Sequence, residues 1–328
     1  MSITQKRSSG LSVKFENDLP KCDAPALKCR LSSVGDIVKV LSLLPSDSWV
    51  YRGQYDAKWR LQTSLERKYG ANSVSSKQEM RAMVNFRNQA RMCLNLGDSF
   101  VDTLAAMQHY GVPTRMLDFT RSFFIAMYFA FAGNDTKQPP HDHAIWAVNL
   151  DKVFPRSKVF CNERDRRVAD EIGDVGAKGD LEFLEAYADW VEEELQRDSI
   201  ARAEMICKTG EAVLRGESED KGAGILPIDI SGRNSRMFAQ NGLFIMTTDF
   251  SSFENSLSSA LHLQGLASMP SVRLRELKSA MKIDGLVLVK FILSEKLHCK
   301  ALDLLKAANI GSQTLFPDLS GIAAQITY

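Results

Sequence analysis

Apolar and polar positions change their period along this chain, and each change marks an element. Residues 1–30 are polar, carry Pro20 and Pro25 and show no period, so they read as a loose arm. Ser33 stands as an N-cap before Ile37, Val38, Leu41 and Leu44, which predict one apolar helical face ending at Pro45. Trp49-Val50-Tyr51 is a β-prone run that ends at Arg52-Gly53-Gln54. Helical spacing fills Lys77–Leu96 and Ser99–Tyr110, and Gly111-Val112-Pro113 breaks the second helix. Met116–Phe119 reads as a short apolar bridge. Thr120 or Ser122 then caps a helix through Phe131 that is apolar almost all round, which predicts a central, buried position.

Strands are predicted at Ala144–Leu150, Ile225–Ile230, Leu243–Thr248 and Gly285–Leu293, and helices at Phe253–Leu263, Ser271–Met281 and Ser294–Ala308. Residues 160–222 break this pattern. They are dense in charge, with an acidic helical run over Glu182–Gln196 and a flexible stretch at Gly216–Gly224, and read as a charged helical insertion. Strands and helices mix without strict βαβ alternation, which predicts an α+β fold. The expected organisation is an arm over 1–32 followed by one domain over 33–328.

Composition narrows the class without naming an activity. With 45% hydrophobic and 25% charged residues, the 328-residue chain is neither disordered nor fibrous. Forty-one Lys+Arg against 40 Asp+Glu leave no global attraction for polyanions, so nucleic-acid binding would rest on a local basic surface. Six cysteines without a CxxC pair disfavour structural zinc, and no metal is expected. The N-terminus lacks the apolar run of a signal peptide, and Phe123–Ala132 is about half the ~20 residues that cross a bilayer. A cytoplasmic protein without a membrane partner is the expectation. No GxxxxGK[ST], GxGxxG, HExxH or GxSxG occurs, which disfavours P-loop hydrolases, ordinary dehydrogenases, zincins and α/β-hydrolases.

Three clusters carry candidate chemistry. Arg52, followed by Gly53, puts a planar guanidinium at a strand end, where it suits either a phosphate or a structural carboxylate. Gly53 there would let backbone come close to a ligand. Gln108–Ser122 crowds His109, Tyr110, Arg115, Asp118, Thr120 and Ser122 beside the most apolar helix. Those polar groups must be satisfied by one another or by a ligand, and Arg115 with Asp118 could form a buried pair. Arg233–Phe244 brings Arg236 and Gln240 through Gly242 into a β run, and equally reads as a turn with solvated arginines. Lys77, Arg81, Arg87 and Arg91 share a helical face that reads as solvated.

Together these segments resemble the FRG domain, a family named for its Phe/Tyr-Arg-Gly motif. Tyr51-Arg52-Gly53-Gln54 matches that motif, and Trp59–Arg67 (WRLQTSLER) matches the W-x-L-x-x-S-L-x-R stretch that follows. His109 through Ala130 matches the long H-Y-G-x-P-T-R-L-L-D-x-T signature, with Met116 in place of Leu. Arg236 with Gln240-Asn241-Gly242-Leu243-Phe244 and the ending Leu315–Gly321 complete a resemblance over roughly residues 33–321.

The resemblance implies likeness to the ADP-ribosyltransferase superfamily: a split β core, NAD as substrate, and an intracellular toxin of toxin–antitoxin or phage-defence systems. In that likeness Arg52 grips the NAD phosphates with Gly53 and Gln54 beside it. Thr120 and Ser122 form the polar element before a helix, with His109, Tyr110 and Arg115 near the nicotinamide or ribose. The superfamily's Gln-x-Glu motif is missing at its expected place; Gln240 is the positional candidate, and Asp118 or Glu66 the carboxylate. Three functions are compatible with this: transfer of ADP-ribose to RNA (favoured), DNA or protein; NAD hydrolysis; or non-catalytic nucleotide sensing. A neutralising antitoxin protein is the expected partner.

Overall fold

The computed structural model describes residues 26–44, 48–71, 73–90, 92–94, 99–132, 140–153, 225–230, 235–247, 250–261, 263, 265–266, 269–281 and 286–317. Among them, eight strands form one sheet: β1 (Ala26–Leu31), β2 (Trp49–Gln54), β3 (Met116–Thr120), β4 (His143–Asn149), β5 (Ile225–Ile228), β6 (Gly242–Thr247), β7 (Ser271–Val272) and β8 (Leu288–Leu293). Their order is β5-β6-β3-β2-β4-β8-β1-β7. β1 runs parallel to both its neighbours, and every other pairing is antiparallel. The fold is α+β.

The described helices are α1 (Val34–Leu43), α2 (Ser64–Tyr69), α3 (Ser76–Ala90), α4 (Phe100–His109), α5 (Phe123–Phe131), α6 (Leu150–Val153), α7 (Ser235–Ala239), α8 (Phe253–Ala260), α9 (Leu274–Met281), α10 (His298–Ala307) and α11 (Ser312–Leu315). Local signals set several of their starts. Ser33 and Asp36 form a capping box on α1, Thr63 and Glu66 do the same on α2, and Ser122 caps α5.

Packing follows the alternation of side chains along the strands. Leu27, Cys29 and Leu31 of β1, Tyr51 of β2 and Phe291 of β8 face one layer with α1, α5 and α10. Val50, Trp146 and Val148 face the opposite layer, against Phe253 and Leu257 of α8. Met116, Phe244 and Met246 pack on Met83, Leu104 and Met107 of α3 and α4. α5 is apolar all round because it lies between the sheet and α10. Its buried Phe123, Ile125, Met127 and Phe131 each contribute roughly 1.5–3 kcal/mol by leaving water.

One junction in the sheet is weak. β2 meets β4 along its whole length, from Trp49↔Asn149 to Gln54↔Ala144, but meets β3 only at Tyr51↔Thr120. Continuing the register would set Gly53 opposite Asp118; the strands part there instead.

The elements differ from expectation in four places. Ala26–Leu31, expected in the loose arm, is a strand of the sheet, because its period-two spacing buries Leu27, Cys29 and Leu31. Met116–Thr120 is a strand rather than a bridge, paired along its length with β6. Ser271–Val272 pairs with β1, so the helix expected from Ser271 begins at Leu274. The helix expected to Leu96 stops at Ala90. Residues 1–25, the charged insertion at 160–222 and the Gly216–Gly224 stretch lie outside the described residues.

Candidate functional site

A cavity of about 860 Å3 opens where β2 and β3 part, walled by both strands, by the loop after β2, and by residues of α4, α5 and α7. Arg52 spans the gap. Its Nη1 donates to the Asp118 carbonyl oxygen at 2.7 Å, a group facing the point where the ladder stops, and lies 3.7 Å from Asp118 Oδ2. Arg52 Nε is buried without a hydrogen-bond partner, although the side chain keeps 19% of its surface exposed. Burial holds the guanidinium below its ordinary pKa, with Asp118 opposing that shift. A guanidinium remains charged, so an under-satisfied one at a cavity wall attracts an anion.

Three further arginines line the same space. Arg60 donates from Nε to Glu254 Oε2 at 2.7 Å, Arg67 donates to the Gln62 carbonyl at 2.6 Å, and Arg236 stacks 4.6 Å over the Phe316 ring. Asp118 is the single carboxylate among the described lining residues. Gln108 Nε2 donates to Asp118 Oδ2 at 2.9 Å while its Oε1 accepts from Thr114, which fixes the amide and orients the carboxylate. Aromatic faces from Tyr55, Trp59, Phe129 and Phe244 complete the lining. Four cations and several π-faces around one carboxylate suit a planar ligand that carries phosphate.

The sequence-expected residues divide into two groups. Arg52, Gly53, Gln54, His109, Asp118, Thr120 and Gln240 all line the cavity. Arg115 does not: its Nε donates to Glu79 Oε2 at 2.7 Å and its backbone N–H to Oε1 at 3.1 Å, and its guanidinium lies 4.2 Å from the Phe250 ring centre. The buried partner of Arg115 is therefore Glu79, not Asp118. Ser122 accepts from the Ile125 N–H as the α5 cap, and Tyr110 is exposed outside the lining. Glu66 accepts from the Thr63 and Phe253 backbone N–H groups at 2.7 and 3.1 Å, so its carboxylate is engaged in holding α2 against α8.

Three of the lining residues also hold the walls. Gln54 accepts from Trp146 Nε1 at 2.7 Å and donates to the Arg60 carbonyl at 3.0 Å. Thr120 Oγ1 donates to the Gln240 carbonyl, and Gln240 Nε2 donates to the Leu315 carbonyl at 3.1 Å. Gly53 also answers to packing, since a Cβ there would sit 2.0 Å from the Ala126 carbonyl oxygen. Arg60, Arg67 and Gln108 were not singled out from sequence, although the two arginines stand inside the WRLQTSLER stretch. The Lys77 and Arg81 face of α3 is exposed and lies outside the lining.

A buried lysine anchors the wall that carries Trp59. Lys290 of β8 donates from Nζ to the Ala57 carbonyl at 2.8 Å and to that of Trp59 at 3.4 Å, over the Trp146 ring. Burial pushes its pKa down to about 8. The unfolded chain then binds more protons between pH 8 and the ordinary lysine value, so stability should rise with pH across that interval. Wild type should gain about 2 kcal/mol relative to Lys290→Met between pH 8 and 9.5, measured by urea unfolding at each pH. A flat difference would show that the ammonium is not desolvated.

Residues 47–139 match the family model of the FRG domain. That span holds Arg52, Trp59, Arg60, His109 and Asp118, while Arg236 and Gln240 reach the cavity from outside it. No curated protein and no solved structure shows a significant match to the chain.

Proposed function

We propose that this cavity binds NAD and that the protein is an ADP-ribosyltransferase acting as an intracellular toxin, with RNA as the favoured acceptor. One observation carries the proposal: Arg52 bridges the parting of β2 and β3 at the wall of an arginine-lined cavity, with its Nε buried and unpartnered. The residues fit the ligand. Arg52 and Arg67 offer charge-assisted hydrogen bonds to a diphosphate, and the volume lies within the range of small-molecule sites. The single-pair junction between β2 and β3 is also what a split β core would look like.

NAD supplies an activated N-glycosidic bond, which breaks at the anomeric carbon as the acceptor's nucleophile bonds there and nicotinamide leaves neutral. Arg52 holds the diphosphate still, so the ribose is presented in one orientation. Asp118, aimed by Gln108, faces the positive charge that builds on the ribose and takes the proton lost by the nucleophile. Gln240 belongs to the wall through its bond to Leu315 and is proposed to position the substrate side. A neutralising protein partner would act by covering this opening.

One observation favours a second reading. The only described carboxylate in the lining is already engaged with Arg52 and Gln108, an arrangement that also suits nucleotide binding without turnover.

Purified protein incubated with adenylate-labelled NAD and cell extract tests both. Label on a macromolecule that ribonuclease removes is the expected result. Label removed by protease would shift the acceptor to protein, and free ADP-ribose alone would make the enzyme a glycohydrolase. Untouched NAD would overturn the enzymatic proposal in favour of the binding module.

A further inference from the structure

We infer that Trp59 is the stacking platform of a nucleobase subsite, with Arg60 and Arg67 as its phosphate-side neighbours. The inference deepens the nucleotide reading of the same cavity and rests on it. Trp59 keeps 53% of its surface exposed, whereas Trp49 and Trp146 are buried. An exposed indole at a cavity wall offers a flat apolar face that a stacked ring would take out of water.

The backbone that carries this indole is held with unusual thoroughness. Lys290 donates to the carbonyls of Ala57 and Trp59, and Gln54 donates to that of Arg60. The Ala57 N–H bonds the Asp142 carbonyl, and the Leu61 N–H bonds Glu254 Oε1 at 3.0 Å. Two of these anchors, Lys290 and Gln54, are buried polar side chains. Four separate attachments therefore fix a loop whose largest side chain is left open at a cavity wall. Tyr55, with its ring 6.2 Å away and tilted by 48°, limits the angles the indole can take. A rigid backbone with a free aromatic face is a pre-organised stacking surface: binding orders little that is not already ordered.

The neighbouring charges select the ligand class. Arg60 and Arg67 line the same cavity, so a planar ring on Trp59 that also carried phosphate would meet guanidinium groups. Arg60 is paired with Glu254, so a ring without an anion would leave Arg67 without a counter-charge, and a phosphate without a ring would leave the indole uncovered. A nucleobase joined to phosphate satisfies both.

The test measures binding of adenosine 5′-monophosphate and of ribose 5-phosphate to wild type, Trp59→Ala and Trp59→Phe. Adenosine monophosphate should bind wild type with quenching of tryptophan fluorescence. Trp59→Ala should weaken it about tenfold, and Trp59→Phe should retain most of the affinity while losing the quenching. Ribose 5-phosphate should bind all three alike and more weakly. The exposed ring makes these variants neutral for folding, which thermal melts will check. Adenosine monophosphate binding that is absent or unmoved by Trp59→Ala overturns the inference, as does ribose 5-phosphate binding as tightly as the nucleotide.

Repeating the titrations with ADP-ribose and with a single-stranded oligoribonucleotide identifies the source of the base by which ligand depends on Trp59. The subsite and the NAD proposal fail separately. NAD consumed equally by wild type and Trp59→Ala, with no Trp59-dependent binding, removes only the subsite. Trp59-dependent binding without NAD turnover removes only the transferase.

Discussion

Replacing Gly53 with alanine should unfold the domain or leave it too unstable to purify. The added methyl would sit 2.0 Å from the Ala126 carbonyl oxygen and 2.6 Å from the Ala130 backbone nitrogen. Both are backbone atoms of α5, so no side-chain rotation relieves the contact. β2 is equally constrained, since six register pairs hold it to β4. Relief requires α5 to move off the sheet and take Phe123, Met127 and Phe131 out of their packing. A loss above about 4 kcal/mol is expected, a large part of the 5–15 kcal/mol that stabilises a typical domain. Chemical denaturation of Gly53→Ala checks it: a midpoint close to wild type would mean that α5 leaves room for a methyl group against β2.

The second large effect concerns activity. Arg52→Ala should reduce NAD consumption by about 10²–10³-fold while leaving a cooperative melt. The side chain lies at the cavity wall and makes a hydrogen bond to one carbonyl, so its removal costs the fold little and the proposed diphosphate grip nearly everything. Arg52→Lys should recover only a small part, because an ammonium lacks the planar fork that spans from the Asp118 carbonyl to a ligand oxygen. Steady-state NAD turnover of the three proteins measures this, with growth arrest on expression as a cellular readout. Undiminished turnover or toxicity in Arg52→Ala would remove Arg52 from the mechanism.

What was legible in the sequence depended on whether a residue's role is local. The Ser33 cap, the run at Trp49 and the all-round apolar α5 are local patterns, and each has its counterpart in the structure. β1 was hidden because Lys28 and Arg30 make the segment look polar, while its alternate positions are buried. The short β3 carries an exposed Asp118 in its middle, which breaks the apolar run that marks a strand.

The same division holds in the cavity. Arg52, His109 and Asp118 stand in recognisable motifs. The partners that decide their roles lie far along the chain, as with Arg115 and Glu79 or Glu66 and Phe253. No spacing rule reports that Glu79 rather than Asp118 neutralises Arg115, because that depends on how α3 docks beside β3. Gly53 has a packing role that its motif does not report. Its missing side chain makes room for a helix that begins some 70 residues later.

The position of β8 has a consequence for biosynthesis. Among the described residues it is the last strand, yet it sits between β4 and β1, and β1 is the first. A ribosome releases residues in order, so Ala26–Leu31 must wait for its six-pair partner until Leu288–Leu293 has emerged, with only the two-pair β7 made shortly before. Lys290, which ties down the Trp59 loop, arrives at the same moment, and Leu315, which accepts from Gln240, follows it. Every nascent chain that stalls before this point lacks these two anchors of the finished cavity. For a protein proposed to poison its own cell, that order would keep a competent site from forming until Lys290 and Leu315 have been made.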